Sequence, residues 1–403
     1  MLSVQSWRDR RSVSVRTSKA RRAGQMMLMA VAMAMPAAAQ AADVVKENNA
    51  DALNLGTSWV GGVAPTANDV AVWNSNLATP ANGVESLAAA TTWGGLKVVD
   101  PSGPISIDLT GKLTIGASGI DMTAATQDLT ITSSTLTAIG TAIGYTGARQ
   151  SWNVANGRTL TIGAPLTAVQ VVQTSSNLVT IGTTGSVVFS GTGGQSQALL
   201  ANNGKNAYYM YGADDWAGTD ATGKVTAATY SNDTAGSANM NLTGAVTTLS
   251  VGAVTSTYRF ANASAPVAIT QTGLNTNRGI LMTSSSVGAS ITGNTIRSDR
   301  GAATNGVLLP IVQNSLIGDL NISSSFGNAS SSTTSLAKYG PGNLILSNPG
   351  GNGYGNISPG RGFTSLYEGT ITVANTTGTA TGTGPVTVSS APASPAPAGS
   401  AAH

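Results

Sequence analysis

Apolar and polar residues alternate over short stretches along most of the chain. "KLTIG" (residues 112–116), "LTITS" (129–133), "TLTIG" (159–163) and "LVTIG" (178–182) set Leu and Ile against Thr and Ser. "LSVG" (249–252), "VAIT" (267–270), "LNIS" (320–323), "LILS" (344–347), "ITV" (371–373) and "VTV" (386–388) follow in the second half. A period of two puts apolar side chains on one face and hydroxyls on the other, so each run predicts a half-buried strand. Gly or Asn-Gly, as at Asn156-Gly157 and Asn305-Gly306, commonly comes next and turns the chain.

The spacing of these runs is irregular, which excludes a strict repeat. No helical pattern interrupts them. The expected architecture is all-β, a right-handed parallel β-helix (solenoid) with irregular coils whose Leu, Ile and Val side chains stack inside. At about 4.8 Å per rung, one continuous rod of roughly 15 coils is expected. Compact antiparallel sandwiches are the alternative.

Composition agrees with many short strands. Only 9% of residues are charged and 5% aromatic, while Gly supplies 49 positions. A hydrophobic fraction of 41% is too high for a disordered chain. The absence of cysteine excludes disulfides, thiolate metal sites and cysteine nucleophiles. The single histidine, His403, argues against a Ser-His-Asp triad or a multi-histidine metal centre. No catalytic, cofactor-binding or metal-binding residue is assigned, and no cofactor is expected.

The formal charge of +3 is concentrated at one end. Seven of the 20 basic residues fall within the first 22 positions, with Asp9 the one acid among them. From residue 42 onward, 13 basic residues face 16 acidic ones, a mildly acidic balance without a basic stripe for nucleic acid. After Arg22 comes the apolar run 26–35, then Pro36 and the small-x-small element Ala39-Gln40-Ala41. This is the pattern of a secretory signal peptide over residues 1–41, cleaved after Ala41 and read by export machinery. The apolar run is too short to span a bilayer comfortably, and no later stretch predicts a transmembrane helix in the mature chain.

Residues 42–100 hold Trp59, Trp73 and Trp93 and are expected to form an N-terminal cap over the first coil's open edge. Residues 101–335 are expected to be the β-helix body. Residues 391–403, rich in Ala and Pro, are expected to be a disordered tail. Residues 203–235 interrupt the rhythm with a polar, aromatic insertion.

Residues 336–390 carry a further pattern. Leu336, Lys338, Gly340, Gly342, Leu344, Leu346 and Ser347 stand in a Leu-x-Lys-x-Gly-x-Gly-x-Leu-x-Leu-Ser array. Tyr354-Gly355, "YEGTITV" (367–373) and "GTGPVTV" (382–388) follow. This stretch resembles the autotransporter-associated β-strand repeat. The resemblance implies a passenger-type protein of a Gram-negative bacterium, secreted or held at the cell surface or outer membrane, with a structural or adhesin-like role. It implies glycan or extracellular matrix as the partner. Such proteins usually end in an outer-membrane β-barrel, and no series of barrel strands follows Val388 here, which implies a truncated autotransporter or another delivery route.

The alternative is a β-helix polysaccharide lyase or glycoside hydrolase. Asp214, Asp215 and Asp220 form the best acidic cluster, and paired carboxylates can act as acid and base on a glycosidic bond or hold calcium. Arg278, Arg297 and Arg300 could supply a base for a lyase. Against this, Asp in Gly-rich segments is commonly a turn former. Tyr208, Tyr209, Tyr211 and Trp216 could stack on sugar rings, or pack against the body of the solenoid. "KYGPGN" (338–343) lacks the Lys-Ser/Thr and helix start of a phosphate cradle, and reads as a tight corner.

Overall fold

In the computed structural model, residues 42–78, 84–134, 143–145, 149–164, 178–190, 209–234, 239–244, 248–249, 257–298, 307–328, 334–354 and 362–388 are described. The segments expected to be signal peptide and tail, together with Tyr208, Arg300 and Asn305-Gly306, lie outside them. The protein is all-β, with parallel sheets stacked as a β-solenoid of about 10 turns, fewer than the roughly 15 expected from the sequence.

The first run of coils builds two sheets. Sheet 1 stacks Asp43–Val45, Val70–Trp73, Thr91–Val98, Leu113–Met122, Arg149–Val154, Leu178–Ile181 and Tyr209–Tyr211. Sheet 2 stacks Val84–Leu87, Ile105–Leu109, Leu129–Thr132, Thr159–Ile162 and Ser186–Phe189. All of these pairings are parallel, and register places like above like: Ile107, Ile131, Ile162 and Phe189 form one inward column. Each of the four is at most 2% exposed. Strands of residues 42–100 are already rungs of this ladder. At its start Trp59 stands edge-on to Trp73 (5.7 Å) and Trp93 (5.8 Å), the contact aromatic quadrupoles favour, and Trp73 lies tilted against Trp93 (6.0 Å). The chain from Leu53 to Val60 lies over the first rungs, held by Leu53 N–H to Ser86 O and Val60 N–H to Val45 O.

The second run builds sheets 3 and 4. Sheet 3 stacks Ser231–Asn232, Asn239–Leu242, Thr257–Phe260, Ile280–Met282, Val307–Gln313, Thr334–Tyr339, Thr364–Leu366 and Val386–Val388. Sheet 4 stacks Thr248–Leu249, Val267–Gln271, Ala289–Gly293, Leu320–Ile322, Asn343–Leu346 and Thr370–Val373. Here the column Ile269, Ile291, Ile322 and Leu346 fills the interior.

The two runs do not make one straight ladder. An antiparallel hairpin, Tyr209–Tyr211 with Asp215–Thr219 and Val225–Ala227, ends the first run. The second run then folds back beside it. Trp216 donates from Nε1 to Tyr258 O near the fold (3.3 Å), while Arg149, earlier in the first run, meets Glu368, late in the second (2.8 Å). Outward side chains of sheet 3, among them Leu281, Leu308, Val312, Ala337 and Tyr339, join the apolar cluster of the first run. Its inward side chains, such as Tyr258, Ile280 and Ile311, belong to the core of the second. The inner strands of sheet 3, such as Ile280–Met282 and Thr334–Tyr339, are therefore buried on both faces, while its end strands Ser231–Asn232 and Val386–Val388 are exposed. Sheets 2 and 4 keep one half-exposed polar face each.

Candidate functional site

The acidic cluster sits on the hairpin, and each of its members has its own set of partners. Asp214 lies in the turn between Tyr209–Tyr211 and Asp215–Thr219 and reaches across to the second run. Its Oδ1 accepts from Ser284 N–H (2.8 Å) and Asn314 Nδ2 (3.3 Å), and its Oδ2 accepts from Ser284 Oγ. Asp215 pairs with Arg259 Nε at 3.0 Å. Burial pushes the Asp215 carboxyl above the usual range, and the Arg259 charge pulls it back. Asp220 closes its own turn, accepting from Thr222 N–H, Thr222 Oγ1 and Lys224 N–H at 2.6–3.0 Å. The hydrogen bond from the Thr222 hydroxyl holds the Asp220 carboxyl below its usual range.

Arg259 is the hub of this joint. Its Nε also donates to Asp214 O (2.9 Å), its Nη1 donates to Asn241 Oδ1 (2.9 Å), and its guanidinium lies 5.3 Å over the Tyr230 ring. Tyr230 Oη in turn accepts from Trp216 N–H at 2.8 Å. Each of these carboxylates is thus engaged: Asp214 by Ser284 and Asn314, Asp215 by Arg259, and Asp220 by Thr222 and the Lys224 N–H. Among the described residues no three acidic or histidine side chains come together as a metal site. Arg278 and Arg297 lie on the second run, Arg297 in a short strand that pairs with Asn275–Thr276.

The aromatic group is not a platform either. Tyr209 is 2% exposed and packs edge-on to Trp152 (6.1 Å) and Phe189 (6.0 Å). Trp216 is fully buried and Tyr211 is partly buried against the same core. Of the two readings of these rings, packing against the solenoid body is the one observed.

"KYGPGN" is a corner. Lys338 stacks in register below Leu366 and above Ile311, inside the second run. Its Nζ donates to three main-chain oxygens, Tyr339 O (2.8 Å), Gly340 O (2.7 Å) and Glu368 O (3.1 Å). Burial brings its pKa down to about 7, opposed by Glu368. Gly340 has φ of 79°, and a side chain at Gly342 would collide with Ser315 O and the Gln313 amide. The Glu368 carboxylate accepts from Gly340 N–H (2.9 Å) and from Arg149, tying this corner to the first run.

A second caged lysine closes the start of the first run. Lys46 is 1% exposed and donates to Glu47 O (2.8 Å), Asn49 O (2.8 Å) and Asn49 Oδ1 (3.2 Å). Burial lowers its pKa. Glu85, 7% exposed, accepts from Trp73 Nε1 at 3.0 Å, and burial raises its carboxyl. The sequence carried a signal for two of these buried groups. Lys338 shares the parity of Leu336, and Glu85 that of Leu87, so a period of two already turns both inward.

Comparison with family models, curated proteins and solved structures returned no match.

Proposed function

We propose that the chain is an exported, non-enzymatic β-solenoid of passenger type, related to the autotransporter-associated β-strand repeat proteins, with a structural or adhesive role at the surface of a Gram-negative bacterium. Residues 1–41 act as the cleaved address. The single observation that supports display best is the ordered polar face of sheet 4. Thr270 and Thr292 join hydroxyls on adjacent rungs (3.1 Å), Asn343 accepts from Thr372 (2.9 Å), and Asn321 accepts from Ser347 (2.6 Å). Sheet 2 repeats the theme with Ser106, Thr130 and Thr161 in one register column. Hydroxyls and amides held at rung spacing suit a glycan or matrix partner rich in hydroxyl groups. The engaged carboxylates of the hairpin support a joint between the runs rather than acid–base chemistry.

The test is retention and turnover together. The mature chain is passed over immobilised polysaccharides and matrix proteins, and soluble products are assayed. Retention without product, weakened by Thr292→Lys on the sheet 4 face, is expected. Product formation abolished by Asp215→Asn would overturn the reading in favour of a polysaccharide-active enzyme.

A further inference from the structure

Two Asn-Gly pairs lie within the described residues, and their surroundings are opposite. Asn156-Gly157 occupies the turn between Arg149–Val154 of sheet 1 and Thr159–Ile162 of sheet 2. Arg158 N–H donates to Ala155 O (3.0 Å), and Gly157 has φ of 72°. A glycine at positive φ in the third position of such a bond is the type II signature. Asn156 is exposed, and a Cβ built at Gly157 would have no heavy atom within 4 Å. Neither the Asn156 carboxamide nor the Gly157 N–H has a hydrogen-bond partner among the described residues.

Asn352-Gly353 is held at every relevant atom. Asn352 is 5% exposed. Its Nδ2 donates to Ala380 O, and its Oδ1 accepts from Phe326 N–H (2.8 Å). Gly353 N–H donates to Phe326 O (2.9 Å), so the nitrogen next to the asparagine is engaged as well.

We propose that Asn156 is a site of spontaneous main-chain-assisted deamidation in the folded protein, and that Asn352, of the same dipeptide, is protected by its hydrogen bonds. The Gly157 amide nitrogen loses its proton to a solvent base and attacks Cγ of Asn156. The new C–N bond closes a five-membered succinimide. The carboxamide C–N bond breaks, and its nitrogen leaves as ammonia after taking a proton from water. One water then opens the ring. Opening at the former side-chain carbonyl gives aspartate, and opening at the main-chain carbonyl gives isoaspartate. The sum is asparagine plus water to an acidic residue plus ammonia, with no oxidant or cofactor.

The product alters this corner in two ways. It sets a new carboxylate next to Arg158, whose present partner Asp128 stands 3.9 Å away. The isoaspartyl form also adds a methylene to the backbone that links sheet 1 to sheet 2. An exported solenoid would thereby acquire negative charge with age at one defined turn.

The experiment is timed incubation of the folded mature chain at mildly alkaline pH, followed by peptide mapping and enzymatic labelling of isoaspartate. A parallel sample is kept unfolded in urea. In the folded sample Asn156 is expected to convert at least about tenfold faster than Asn352, since breaking even one buried hydrogen bond imposes a barrier of that size. In urea the two rates should converge. Asn156→Gln should remove the label from that peptide without altering the others. The proposal is overturned if Asn156 stays intact while folded, or if Asn352 keeps pace with it.

Discussion

At the residue scale, a charged group inside an apolar stack is the least ordinary feature of the molecule. Lys338 continues the column of Tyr258, Ile280 and Ile311, and its ammonium is accommodated because three main-chain oxygens of two successive coils converge on it. These carbonyls belong to a corner where the ladder breaks, so they would otherwise be buried without donors. Burial still disfavours the charge. An unfolded lysine holds its proton to about 10.5, whereas Lys338 in the folded chain loses it near pH 7. Between these values the unfolded state binds more protons, so stability rises with pH across that window and is flat below it. Urea unfolding of the wild type and Lys338→Met from neutral to alkaline pH is the check. The difference should shift in favour of the wild type as pH rises, and a pH-independent difference would refute the assignment.

At the scale of elements, legibility followed exposure. The alternating runs that fall on described residues are strands in the structure, residues 250–252 of "LSVG" lying outside them, and most are in sheets 2 and 4, where one face meets solvent. Sheet 3 was largely hidden. Thr334–Tyr339 is buried at all six positions, and Val307–Gln313 reads Val-Leu-Leu-Pro-Ile-Val-Gln with no alternation. A strand covered on both faces has no polar side to mark its period. The second cover is the other run of coils, and nothing local in a sequence announces a partner so distant along the chain. For the same reason the sequence predicts one rod, and nothing local in it connects Arg149 with Glu368. The acidic cluster is legible as residues and illegible as a site, because the partners of Asp214 and Asp215, namely Ser284, Asn314 and Arg259, come from the other run, and only Asp220 is bound within its own turn. The two classes of outward position predict different costs. Thr270→Lys, on the exposed face of sheet 4, should change stability by no more than about 0.5 kcal/mol. Val312→Lys, outward on sheet 3 but fully buried, should cost more than about 4 kcal/mol or prevent folding, because its charge has no partner there. Thermal unfolding of the two variants separates them, and equal tolerance would mean that sheet 3 is not covered.

At the scale of the whole described fold, the contact between the runs combines an apolar layer with a few polar struts. Arg149 and Glu368 are both partly buried, at 17% and 23% side-chain exposure, and the Glu368 carboxylate also holds Gly340 N–H. A double-mutant cycle on Arg149→Ala and Glu368→Ala should therefore give a coupling of about 0.5–3 kcal/mol, with Glu368→Ala the costlier single change. Additive effects would indicate that the pair does not bridge the runs.

The account stands on the hairpin being a strut that docks on the second run, with Asp214 spent on Ser284 rather than left free in a cleft. The chain has no cysteine, so an introduced pair has no competitor. Asp214→Cys with Ser284→Cys places two short side chains at a site where the native ones already touch. Mild oxidation of the folded double variant, read by mass and by thiol alkylation, should give a single intramolecular disulfide that is lost when the chain is unfolded before oxidation. Two thiols that remain alkylatable in the folded, oxidised protein would contradict the folded-back arrangement and return Asp214 to the list of free carboxylates.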